Sequence, residues 1–232
     1  MSRLSGWQMA RFFAMVAVLA AFVMGGCSPK PAVPHTARIE PEASDTLELP
    51  DAPVSDADLD RFAERVSLEK IELGRSEATA KGLAELARLP RLKHLVLRGS
   101  PIDDEGLAQI AGCSKLKILN LPHTTVTDEG IKVLARLPEL ELLRIGSPRL
   151  TNVGMNEIAL LPHLRFVHLI DAPISDEGFE LLGGMANLES LYVDGAQLSD
   201  DAVERVLRAR PMLHVHLDQE HHDRDPKRGH GP

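Results

Sequence analysis

The sequence is poor in aromatic residues and in cysteine. Only 3% of its 232 residues are aromatic, with one Trp and one Tyr. A core with so few rings must be built from Leu, Ile, Val and Ala, which suits many thin, repeated layers. Two cysteines cannot form a disulfide framework. No apolar run reaches the roughly 20 residues that a helix needs to cross a hydrocarbon core. Cations are also in deficit, with 26 Lys and Arg against 34 Asp and Glu. The resulting net charge of -8 argues against a nucleic-acid partner, because a phosphate backbone needs a cationic surface to displace its counterions. There is no GxGxxG, phosphate loop, GxSxG elbow or HExxH. The expectation is a non-enzymatic protein that needs no cofactor.

What the chain does have starts with an export signal. Arg3 and Arg11 precede Phe12–Met24, thirteen apolar residues without a charge, which is the length of a secretory apolar region. Gly25, Gly26 and Cys27 follow. The run Met24-Gly25-Gly26-Cys27 resembles the lipobox of bacterial lipoproteins, which usually carries Leu where Met24 stands. The resemblance implies removal of residues 1–26, acylation of Cys27 and a membrane anchor through the attached lipid. Ser28, rather than Asp, after the cysteine favours the outer membrane of the cell envelope. Removing residues 1–26 takes away two arginines and no acid, so the mature chain is more acidic still. Residues 27–43 hold four prolines and few large apolar groups, and read as a flexible tether.

From residue 44 to 218 a 24-residue period governs the chain. Leu92, Leu95 and Leu97 are spaced L-x-x-L-x-L, and one step on stand Leu116, Leu119 and Leu121. The series continues through Leu140, Leu143, Ile145, then Leu164, Val167, Leu169, then Leu188, Leu191, Val193, and reaches Met212, Val215 and Leu217. Backwards it gives Leu68, Ile71, Leu73 and a weakened Ser44, Leu47, Leu49. Later in each unit Asp103, Thr127, Thr151, Ser175 and Ser199 are natural N-caps, and the acids behind most of them suit the positive end of a helix dipole. Gly82, Gly106, Gly130, Gly154 and Gly178 recur at one site, and pairs such as Leu107 and Ile110 then repeat at helical spacing.

Each unit is thus a short strand, a turn and a short helix. No single unit buries its own apolar side, so neighbours must stack into one continuous core. These residues resemble leucine-rich repeat proteins, in particular the ribonuclease-inhibitor-like type with a helix in each repeat. The resemblance implies an α/β solenoid of about seven to eight repeats, curved, with a parallel β-sheet on the concave face and short helices on the convex face. It also implies a surface for another protein or peptide. Where many such repeats carry Asn or Cys at the turn, this chain has Ser76, Ser100, Thr124, Pro148, Ala172 and Ala196, so a continuous asparagine ladder is absent.

Within L-x-x-L-x-L the residues flanking the middle Leu must face the concave, solvent side. One column contains Ile118, Leu142 and Phe166; the other contains Arg144, His168 and Tyr192. Aromatics and Arg around an apolar centre have the composition of an interface hot spot, so these six residues are the expected protein-binding site. The alternative site is at the C-terminal end. His214, His216 and Asp218 alternate along the last predicted strand and, with the His-rich and disordered tail expected over residues 219–232, would make this a metal-binding envelope lipoprotein. Cys113 occupies a repeat site otherwise filled by Leu and is expected to be a buried small hydrophobe.

Overall fold

The computed structural model describes residues 44–218, 220 and 221. Cys27, the signal, the tether and the rest of the tail lie outside the described residues. Each repeat contributes one strand: β1 (Thr46–Val54), β2 (Lys70–Ser76), β3 (His94–Leu97), β4 (Ile118–Leu121), β5 (Leu142–Gly146), β6 (Phe166–Ile170), β7 (Ser190–Asp194) and β8 (His214–Leu217). These eight strands pair in parallel and in chain order to form one open sheet. β9 (Glu220–His221) joins the far edge, antiparallel to β8. The helices between them are α1 (Asp56–Ala63), α2 (Ala80–Glu85), α3 (Asp104–Ile110), α4 (Asp128–Ile131), α5 (Asn152–Ala159), α6 (Asp176–Gly183) and α7 (Asp200–Ala209). Residues Leu86–Arg88 and Lys132–Arg136 add tighter 3₁₀ turns after α2 and α4.

The register of the sheet follows the period of the sequence. Leu95 lies opposite Leu119, and Leu119 opposite Leu143, so equivalent positions stack in columns. In the six strong triplets every residue is at most 2% exposed. Leu107, Ile110, Leu134, Phe179 and Leu182 close this core from the helical side. A helix takes about 10 Å of width and a strand about 4.8 Å, so the stack bends with the sheet on the inside.

The last strand keeps the register, with Val215 opposite Leu191, but the residue that should lead into it does not. Met212, predicted to point inward, is 76% exposed, and Leu213 takes its place at 1%. The cause is the length of α7, which runs two residues past the point at which α6 stops in its own repeat. The chain therefore re-enters the sheet with the next residue turned inward.

The predicted N-caps all precede helices, but the acids behind them do more than face a dipole. The first helical residue of one repeat binds the N-cap of the next. Asp104 accepts the Thr127 N–H at 2.7 Å on Oδ1 and the Thr127 hydroxyl at 2.6 Å on Oδ2. Asp56 with Thr79, Asp128 with Thr151, and Asp176 with Ser199 repeat the pattern. Asn152 makes the same rung with Ser175, its amide donating to the hydroxyl. The glycine column follows from this ladder. A Cβ on Gly154 would lie 2.6 Å from Asp128 Oδ1, and one on Gly130 would overlap Asp104 Oδ1.

The ladder breaks once. The rung from α2 to α3 would join Ala80 to Asp103. Asp103 has no hydroxyl to offer a facing carboxylate, and Ala80 presents none. There the glycine is correspondingly looser, because the nearest atoms to a Cβ on Gly106 would be Leu83 Cδ1 at 3.1 Å and Ile102 Cγ2 at 3.3 Å. At the turn corner hydroxyls replace an asparagine ladder in the middle repeats. The Thr124 hydroxyl donates to the Gly146 carbonyl, and the Ser147 hydroxyl to the Val126 carbonyl.

Candidate functional site

The open face of the sheet is covered unevenly along the stack. On β5, Leu142 and Arg144 alternate with buried Leu143 and Ile145, and are themselves half-buried. Phe166 and His168 on β6 and Tyr192 on β7 stand in the same way. Register aligns Leu142 with Phe166, Arg144 with His168, and His168 with Tyr192. These five predicted residues line one concavity of about 480 Å³, together with Val167, Asp194 and His216. Ile118, the sixth, is half-buried one strand away and in register with Leu142, but it does not line the concavity.

A chain of polar contacts crosses the floor. Arg144 Nε donates to His168 Nδ1 at 3.1 Å, and His168 Nε2 lies 2.8 Å from Asp194 Oδ2. Arginine can only donate, so Nδ1 must be the acceptor and Nε2 carries the proton toward the carboxylate. The imidazole is thereby held in one orientation between the two. Burial pulls the Arg144 guanidinium below its ordinary pKa, with repulsion from Arg98 adding to the effect. It nevertheless remains a cation, as arginine does in proteins. Beside this chain the Tyr192 ring stacks on His216 at 4.2 Å and tilts against His168 at 5.4 Å. The Arg165 guanidinium lies 5.2 Å from the centre of the Phe166 ring.

Asp194 was not foreseen from the two columns. It occupies a third outward column, one residue past each triplet, which also holds Arg98 and Ile170. A carboxylate one repeat and two residues beyond a histidine was the signal that would have found it.

Not every residue beside a middle Leu faces solvent as expected. Val96, Ser190, His214 and His216 are between 2% and 7% exposed. His214 and His216 are covered by each other and by Tyr192, whose ring approaches both. Their Nε2 atoms are hydrogen-bonded to one another. The alternative metal site does not assemble. β8 ends at Leu217, and Asp218 adopts a left-handed conformation with φ of 49°. Its Oδ1 accepts the Gly195 N–H at 2.7 Å instead of joining the two imidazoles. Among the described residues no group of three or more His, Cys, Asp or Glu side chains could hold a metal ion.

The N-terminal part of the same face is chemically different. Lys70 pairs with Glu48 and with Glu72 at 3.2 Å, and Arg98 pairs with Glu72. Arg98 and Lys70 hold the Glu72 carboxyl below its usual range. Burial, followed by the Lys70 charge, lowers the pKa of His94 in register beside Lys70. Cys113 is 3% exposed, and burial pushes its thiol up to about 12. It is a packing residue with no thiolate character at neutral pH.

Fold and site together define a repeat solenoid with an open, partly apolar sheet face. A leucine-rich repeat model matches residues 89–111 and 112–135, and the remaining strands extend the same period. The chain has the fold of a leucine-rich repeat solenoid. No curated protein matches its sequence. Among solved structures it is similar to internalin C2 of Listeria monocytogenes, at 24% identity and a TM-score of 0.56, over 74% of this chain and 69% of that one. It is also similar to the internalin inlF of the same organism, at 20% identity and a TM-score of 0.51, over 69% of this chain. The match spans about half the length of inlF, 52%. These likenesses concern the fold.

Proposed function

We propose that the chain is a non-enzymatic protein-interaction module of the bacterial cell envelope, held to the membrane by lipid on Cys27 and set away from it by the tether of residues 27–43. The observation that carries this reading is the concavity on β5–β7. Leu142, Phe166 and Tyr192 stand there beside Arg144 and His168, at positions that the core does not use. Leucine-rich repeats offer broad open faces rather than enclosed pockets, and rings and Arg around an apolar centre are what interface hot spots are made of. Anchoring rests on the lipobox resemblance, and an outer-membrane address rests on Ser28.

Capture from envelope extracts by the full chain tests the interaction. A Phe166→Ala, Tyr192→Ala variant that keeps its circular dichroism spectrum is expected to bind the captured protein at least tenfold more weakly, on the order of 2 kcal/mol for hot-spot truncation. Unchanged affinity would place the binding face outside β5–β7. For the anchor, a Cys27→Ser protein is expected to accumulate as precursor or to leave the membrane fraction. Normal processing and retention would refute lipidation.

A further inference from the structure

The concavity holds a half-buried cation whose end-on donors are unused among the described residues. Arg144 is half-buried between Leu142 on its own strand and His168 on the next. Its Nε–H is used by His168, whereas its two Nη groups meet no acceptor among the described residues. Asp194 lies close enough to act on it electrostatically, and its Oδ2 faces His168 Nε2 at 2.8 Å. The contrast with the N-terminal strands is direct, since Lys70 and Arg98 there are each matched by Glu48 or Glu72.

A guanidinium drawn partly out of water without a carboxylate hydrogen-bonded to it is costly, and a carboxylate that reaches its Nη groups offsets the cost. Because Nε is occupied, the side-on fork through Nε is closed and the end-on fork through both Nη groups remains. That fork matches the two oxygens of one carboxylate. Beside it the concavity is lined by the apolar Leu142 and Phe166 and by the Tyr192 ring, which stacks on His216, as well as by His168 and Asp194. An extended run of acids is disfavoured by Asp194 nearby and by the net charge of -8 on the chain, which repels acidic partners at long range. A single carboxylate next to an apolar side chain meets all three conditions.

Resting on the interaction reading above, we propose that the concavity receives a protein segment in which one Asp or Glu side chain stands beside one large apolar side chain. The carboxylate sits end-on against the Arg144 Nη groups, and the apolar group packs on Leu142, Phe166 and Tyr192.

Random peptides displayed as N-terminal fusions, which present no free terminal carboxylate, serve as the probe and are selected on the full chain. Enriched sequences are expected to share an acid within a few positions of Phe, Trp, Leu or Ile. Resynthesised with amidated ends, they should lose about tenfold or more in affinity when the acid becomes its amide, the range of a charge-assisted hydrogen bond. Arg144→Gln should cost the same, and combining both changes should cost no more than either alone. Arg144→Lys, which keeps the charge and loses the fork, should fall between. Peptides that need Phe166 and Tyr192 but ignore both Arg144→Gln and their own acid would overturn the carboxylate and leave the interaction reading standing. Peptides indifferent to Phe166→Ala, Tyr192→Ala would overturn that reading as well. A selection that enriches nothing overturns the proposal.

Discussion

The strands β1–β3 and β5–β7 are built on the same inward triplets, yet their outward faces differ. On β1–β3 the outward positions hold Glu48, Lys70, Glu72 and Arg98, which satisfy one another. On β5–β7 the equivalent positions hold Leu142, Phe166, Tyr192, Arg144, His168 and Asp194, where Arg144 donates to an imidazole and Asp194 faces its other nitrogen. Exposed ion pairs contribute little to stability, so the first half gains solubility and register more than energy. The second half exposes apolar area that the fold does not require, and such area marks a contact surface. Function therefore shows in what distinguishes the repeats, and architecture in what they share.

The claim that both halves share one core is the easiest to break, and it carries the largest expected effect. Leu95→Ala in β3 and Leu143→Ala in β5 remove side chains that are each 0% exposed. Both are expected to cost about 2–5 kcal/mol in urea unfolding, and by similar amounts. A near-zero cost at one of them would mean that the halves do not unfold as a unit.

A smaller effect sharpens the comparison at the one gap in the ladder. Gly130→Ala places a methyl against Asp104 Oδ1, whereas the nearest atoms to the Gly106→Ala methyl are side-chain ends of Leu83 and Ile102, none closer than 3.1 Å. The first is expected to cost about 1–3 kcal/mol, the range of overpacking, and the second distinctly less. Equal losses in thermal unfolding would show that the carboxylate rungs are not what the glycines accommodate.

The mildest effect is acid sensitivity. The Thr79 hydroxyl and N–H hold Asp56 below the usual carboxylate range, and those of Ser199 do the same for Asp176. A carboxyl whose folded pKa lies below its unfolded value contributes stability above the unfolded value, about 4. That contribution is lost as pH falls through the folded value. Urea midpoints are thus expected to be flat near neutrality and to fall below about pH 4. Asp56→Asn and Asp176→Asn should each reduce the slope, at opposite ends of the stack. A slope unchanged in both variants would assign the acid limb to other groups. The Asn152 rung carries no charge and adds nothing to it.

Most of the fold was legible because it is periodic. A residue that recurs every 24 positions in a stack of equal layers lies beside its own copies, so the inward triplets, the N-caps and the outward columns could be read by counting. Counting failed where the layers stop being equal. Met212 was placed inward by the period and lies outside because α7 is longer than the helix before it. Asp218 was grouped with His214 and His216 by alternation along a strand that ends one residue earlier. The candidate site was legible in part: five of its residues came from the two columns, while Asp194 stood in a third that was not read.

The sequence alone determined the number and register of the repeats, the makeup of the core and the place where apolar groups face outward. All of these follow from one-dimensional spacing once strands alternate and layers stack. Only the tertiary structure decided which polar atoms meet. It set Asp104 against Thr127 rather than its own helix end, held His168 between Arg144 and Asp194, and left the Arg144 Nη groups without an acceptor among the described residues. Hydrogen bonds depend on distances of a few tenths of an ångström and on side-chain direction. Periodicity fixes neither, because it places backbones in register and leaves each side chain to choose among its neighbours.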